Sequence, residues 1–146
     1  MLAGAMLFSA RYHRQGREWE MARSAYEEAV ATRRELGNIP YLLEALAGLA
    51  LAQSELGEQS LALQHVSEIL SELEKITIEG AWEPFEVYWS CYLVLQRNLD
   101  FRSQLVLQQG HELLQEWSQN LQDTSQRLSF LSQVSTNHKI NEAFQL

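Results

Sequence analysis

The chain has 146 residues, 46% of them hydrophobic and 21% charged, with a formal net charge of −8. That length suits one domain spanning 1–146 with a core of its own. The apolar content excludes a disordered tail, the charge content excludes a membrane bundle, and no apolar run approaches the roughly 20 residues that span a bilayer.

In chain order the segments all have helical length and period. The opening MLAGAMLFSARYHRQGR has no basic region before its apolar stretch and then turns amphipathic, so 3–15 is expected as a domain helix and not a signal peptide. After Gly16-Arg17 a second helix covers 18–36, with Arg33-Arg34 near its end and Gly37 as a left-handed cap. Pro40 suits the first turn of a third helix, 40–56, and Gly57-Glu58 separates it from a fourth over 59–76. Gly80-Ala81 breaks the chain before Pro84, which opens 84–97. Asn98–Asp100 then precedes 101–121. Asp123-Thr124-Ser125 leads into two short helices near 125–134 and 138–145. No alternating run rich in Val, Ile and Thr occurs, so the fold class is all-α.

The charge is uneven. Residues 1–43 carry six Arg against five Glu, residues 44–86 carry nine Glu against Lys75, and residues 87–146 are nearly balanced. Such a field repels phosphate backbones, so no nucleic-acid partner is expected. The acidic middle third reads as a solvated face or as a docking surface for a basic partner. The single cysteine cannot form an internal disulfide and fits a reducing cytoplasm.

Aligning the breaks gives a repeat with offsets of 40 and then 41 residues. Small residues coincide at Ala10, Ala50 and Cys91 in the first helix of each pair, and at Ala22, Ala62 and Ser103 in the second. Met6, Leu46 and Val87 form a bulkier column, as do Tyr26, Val66 and Leu107; Ala29, Ile69 and Gly110 form another. Two helices joined by a short turn approach closely only where one side chain is small, and a single pair cannot bury both faces, so pairs stack. In that column Cys91 is a packing residue, and a buried cysteine is inert.

ARSAYEEAVATRRELG (22–37) and ALAGLALAQSELGEQSLAL (45–63) resemble tetratricopeptide repeats. The matching positions are Ala50, Gly57, Ala62 and Val66 in the second repeat, and Ala10, Ala22, Tyr26 and Ala29 in the first. Gly16 stands one residue early, Val66 replaces an aromatic, Asn98 replaces a glycine, and the terminal proline is missing. The repeats are about 40 residues long. That long form is similar to the helical arrays at the carboxyl ends of bacterial signalling regulators with an ATPase core, of the maltose-regulator type, and RLSFLSQVSTNHKI (127–140) is similar to their closing segment. The resemblance implies a right-handed α-α superhelix of three pairs (about 3–37, 40–77 and 84–122) with a cap over 123–146.

It also implies a concave groove lined by the first helices: Leu7, Arg11 and Arg14; Glu44, Ala47, Leu51, Ser54 and Glu55; then Phe85, Tyr88, Tyr92, Leu95 and Gln96. Spacing alone puts 85, 88, 92 and 96 on one stripe. The stripe either anchors a partner or lies under the chain's own last helices, through Phe130, Leu131, Val134, Ile140 and Phe144. Trp19 fits a packing position, and Arg33-Arg34 a solvated helix end.

Chemistry finds little support. His13, His65, His111 and His138 show no metal-ligand spacing, and no GxxxxGK[ST] or GxGxxG loop exists. No glutamate stands in an apolar setting that would single out an acid. The expectation is a non-enzymatic binding module without metal or cofactor, taking a protein or peptide segment. The alternatives are a domain that pairs with itself as a homodimer and a small-ligand sensor.

Overall fold

The structure, a computed structural model, describes residues 3–145. It contains eight α-helices and no strand among the described residues: α1 Ala3–Gln15, α2 Trp19–Leu36, α3 Ile39–Glu55, α4 Gln59–Leu73, α5 Pro84–Arg97, α6 Arg102–Gln119, α7 Thr124–Ser132 and α8 Ser135–Gln145. The boundaries follow local chemistry. Asn38 caps α3 by accepting from the Tyr41 amide at 3.1 Å, with Pro40 in the first turn. Asp123 caps α7 through the Ser125 amide at 2.7 Å. Gly37 closes α2 at φ 71°. The fourth helix stops at Leu73, three residues before the expected end, and α8 begins at Ser135, three before its expected start.

The turns within α1–α2, α3–α4 and α5–α6 share one construction. In each, the amide three residues past the helix bonds back five residues: Glu18 to the His13 carbonyl (2.9 Å), Glu58 to Gln53 (2.8 Å) and Asp100 to Leu95 (2.9 Å). The preceding residue bonds back three, completing a Schellman motif, and adopts the left-handed conformation it requires: Arg17 (φ 56°), Gly57 (φ 87°) and Leu99 (φ 52°).

At the centre lies α3, buried continuously from Leu42 to Ser54 and packed against α1, α2, α4 and α5. Ala10, Ala22, Ala50, Ala62 and Cys91 are at most 1% exposed, and Ser103 is also buried. The aromatic ring of Tyr26 crosses α3 at Gly48, the one position in that stretch without a side chain to obstruct it. Beyond α5, α8 packs on α5 and α6, and α7 on α6 and α8.

The middle third's carboxylates are largely consumed in joining helices. Glu44, Glu58, Glu68 and Glu86 pair with Arg11, Arg23, Arg34 and Arg14 from the first two helices, and Glu55 pairs with Arg97 of α5. The excess seen in the sequence is therefore neither a purely solvated face nor one continuous acidic surface. No described helix is long and apolar enough to cross a membrane.

Candidate functional site

A groove of about 570 Å³ crosses the molecule where α1, α3, α5 and α8 face one another. Its apolar floor combines Leu51 of α3, Trp89 and Leu93 of α5, and Trp19 from the start of α2. Four cations line it, Arg14, Arg17, Arg97 and Lys139, against the two carboxylates Glu55 and Glu86. A chain of charge −8 thus carries a groove with a cationic excess.

Two of those cations are held in place. Arg14 Nη2 donates to Glu86 Oε2 at 2.6 Å and to Ser90 Oγ at 3.2 Å, tying α1 to α5. Thr136 donates to the other oxygen of Glu86, bringing α8 into the same cluster. Arg97 donates to Glu55 Oε1 at 2.8 Å and to Ser54 Oγ at 3.2 Å, tying α5 to α3. Arg17, on the α1–α2 turn, and Lys139, on α8, make no ion pair among the described residues. Both are exposed at the groove edge. The site therefore has a rigid, neutralised interior and two free charges at its rim.

The residues expected in the groove separate into three groups. Arg14, Leu51 and Glu55 line it. Arg11 does not: it sits under Trp82, its guanidinium 5.4 Å from the ring centre, and pairs with buried Glu44 at 3.3 Å and with Glu83 at 3.5 Å. Burial raises the Glu44 carboxyl above the usual carboxylate range, partly offset by the hydrogen bond from the Glu83 amide and by Arg11. One Glu44 oxygen has no partner among the described residues. The arrangement is structural, joining α1, α3 and the start of α5.

The expected α5 stripe also departs from the groove. Phe85 is 5% exposed, packed edge-to-face on Trp117 (5.1 Å) and Phe130 (6.0 Å), so α6 and α7 cover it. Tyr92 is buried beside Trp89. Tyr88 points to the opposite side, beneath Gly110 of α6, and Gln96 is exposed without lining the groove. The groove face of α5 is instead Glu86, Trp89, Leu93 and Arg97, one residue along and about 100° around the helix.

The turns explain the shift. Counted from the left-handed residues Arg17, Gly57 and Leu99, the repeat offsets are 40 and 42, although the buried small residues keep 40 and 41. The turn count places Gln15, Glu55 and Arg97 in one column and Arg11, Leu51 and Leu93 in another, and all of these but Arg11 line the groove. A sequence signal for this existed: Glu18, Glu58 and Asp100, the acidic residue just past each turn, recur at the same 40 and 42.

Cys91 offers no chemistry here. It is fully buried and burial pushes its thiol up to about 12, so it carries no thiolate at neutral pH. No group of three or more His, Cys, Asp or Glu among the described residues could hold a metal ion. Comparison with known protein families, curated proteins and solved structures yields no match.

Proposed function

We propose that the chain is a protein-binding module built as a tetratricopeptide-like array, a right-handed stack of three helix pairs closed by α7 and α8, belonging to a larger bacterial signalling regulator. Its groove takes an extended or helical segment of a partner protein. The observation that carries this reading is the Trp89–Leu93–Leu51 floor with Trp19 beside it, bordered by the unpaired cations Arg17 and Lys139. Aromatic anchors in such a floor supply most of the binding energy, and rim cations select for carboxylates and speed encounter. The expected ligand is a segment with a bulky apolar residue next to Asp or Glu.

Peptide-display selection against the intact chain tests this. Selected peptides should be acidic with an apolar anchor, and should bind at least about tenfold more weakly to Trp89→Ala, equivalent to about 1.4 kcal/mol. Arg17→Glu with Lys139→Glu should weaken them similarly. Trp89 is only partly buried, so the helical circular dichroism should persist. Selected peptides indifferent to both variants would sink the groove reading.

Self-association is favoured by a different observation. Leu99 and Phe101 lie in the α5–α6 turn and are 93% and 90% exposed. A dimer in light scattering that Phe101→Glu dissolves, with no peptide selected by the groove, would establish that reading instead.

A further inference from the structure

On the side of the molecule away from the groove, α4 and α6 are the second helices of neighbouring pairs, yet they nowhere come within 8 Å of each other, Cα to Cα. Their partners α3 and α5 do pack together. The gap is a cleft of about 590 Å³ that shares no lining residue with the groove. Among the described residues one hydrogen bond bridges it, Arg102 Nη1 donating to Ser67 Oγ at 3.0 Å.

The cleft's interior is apolar and its edge acidic. Leu70 and Leu73 of α4 face Leu105 and Leu113 of α6, and Leu105 is 55% exposed. Tyr88 forms the floor, fixed under α6 because Gly110 leaves it room: a Cβ there would stand 3.0 Å from the Tyr88 Cβ. The Tyr88 hydroxyl makes no hydrogen bond among the described residues. Glu74, Glu112 and Glu116 edge the cleft, and none has an ion-pair partner among the described residues. Arg102, the only cation lining it among the described residues, is already bound to Asp100 at 2.8 and 3.0 Å.

We propose that this cleft docks a basic amphipathic helix from a partner protein, independently of the groove. The backbone argument selects a helix over an extended strand. A strand brings unpaired N–H and C=O groups, and two flanking helices, whose backbones are internally bonded, offer it no edge to pair with. A helix arrives with its backbone satisfied and needs only an apolar stripe, which Leu70, Leu73, Leu105 and Leu113 would receive as ridges between helices. The three unpaired carboxylates fix the sign of its flanks as lysine and arginine.

The probe is a synthetic peptide of about 14 residues, roughly four turns, with leucines at i, i+3, i+4 and i+7 and lysine at most other positions. Two comparison peptides carry glutamate in place of lysine, or the same residues scrambled so that no leucine stripe forms. Binding is read by anisotropy of the labelled peptide and by its gain in helicity, at about 0.15 M salt. The Leu/Lys peptide should bind with one-to-one saturation, and both comparison peptides at least about tenfold more weakly. Leu105→Lys, at an exposed position, and Glu112→Lys with Glu116→Lys should each weaken it about tenfold or more. Glu79→Lys, a charge reversal outside the cleft, should change it less than about twofold, and so should Trp89→Ala. If Leu105→Lys fails to fold, the double charge reversal decides alone. Equal loss with Glu79→Lys, retained binding of the scrambled peptide, absence of binding, or dependence on Trp89 rather than Leu105 would each overturn the proposal.

Discussion

Gly48→Ala isolates a single steric requirement of the fold. A methyl group at position 48 would lie 2.2 Å from Tyr26 Cζ, 2.3 Å from Cε1 and 2.7 Å from Cε2. Carbon atoms rest at about 3.5–4.0 Å, so the ring would have to retreat by more than about 1 Å. It has nowhere to go: Tyr26 is 1% exposed between α2 and α3. Overpacking of this kind costs about 1–3 kcal/mol, and the depth of this clash puts it at the upper end. Alanine returns about 1 kcal/mol because glycine is a poor helix former. The net expectation is a loss of about 2 kcal/mol, a fall in Tm of about 4–8 °C for a chain of this size. Urea and thermal unfolding followed by circular dichroism measure it. A second background makes the reasoning sharper. With Tyr26→Val, valine being the residue at the corresponding position 66, the ring atoms are gone, and Gly48→Ala should become neutral or stabilising by up to about 1 kcal/mol. Gly48→Ala without cost in the presence of Tyr26, or with equal cost in its absence, would refute the account.

Leu99→Gly should stabilise the chain by about 0.5 kcal/mol. The left-handed conformation costs a side chain about 1–2 kcal/mol, the extra freedom of unfolded glycine returns part of that, and an almost fully exposed leucine has little packing to lose. A lower Tm for this variant would mean that Leu99 packs on something, such as a second copy. His65 should make stability depend on pH. Its ring is partly buried, with Nδ1 2.8 Å from the Gln53 side-chain oxygen, and burial lowers its pKa, the nearby Glu68 opposing and Arg34 reinforcing the shift. With the folded value below the unfolded one of about 6.5, the unfolded chain binds the proton more readily, so this contribution is present above about pH 6.5 and lost as pH falls through the folded value. His65→Gln should flatten the slope of stability between about pH 5 and pH 7.5; an unchanged slope would exclude His65 as its source.

The helices and their buried columns were legible because each depends on a local signal. Asn38-Ile39-Pro40, Gly37 and Asp123 mark ends through capping chemistry. Ala10, Ala22, Ala50, Ala62 and Cys91 mark, by their small size, positions that the fold buries to 1% exposure or less. The groove face of α5 was not legible from the same columns. Cys91 and Tyr92 are both buried, so the small-residue register could not tell which neighbouring stripe faces outward. Phe85 and Tyr88 were placed in the expected groove by the repeat register and the 85–88–92–96 spacing, but Trp117, Phe130 and Gly110 come from distant parts of the chain and decide where those rings rest. Gly48 was visible in ALAGLALA as a helix-interior glycine. Only the structure pairs it with Tyr26.

Charge shows how tertiary pairing changes the meaning of a composition. The sequence concentrates its negative charge in residues 44–86, which suggests one acidic surface. In the folded chain five of those nine glutamates meet arginines from other helices, and Glu83 also approaches Arg11. Pairing removes most of the middle third from the external field, and what is left sorts by location. Arg17 and Lys139 remain beside the groove, whereas Glu74, joined by Glu112 and Glu116 from outside the acidic segment, remains beside the α4–α6 cleft. Two faces of opposite residual sign, each with an apolar interior, would attract different partners. An acidic segment and a basic helix could therefore occupy the chain together, and the salt dependence of the two associations would come from charges that do not overlap.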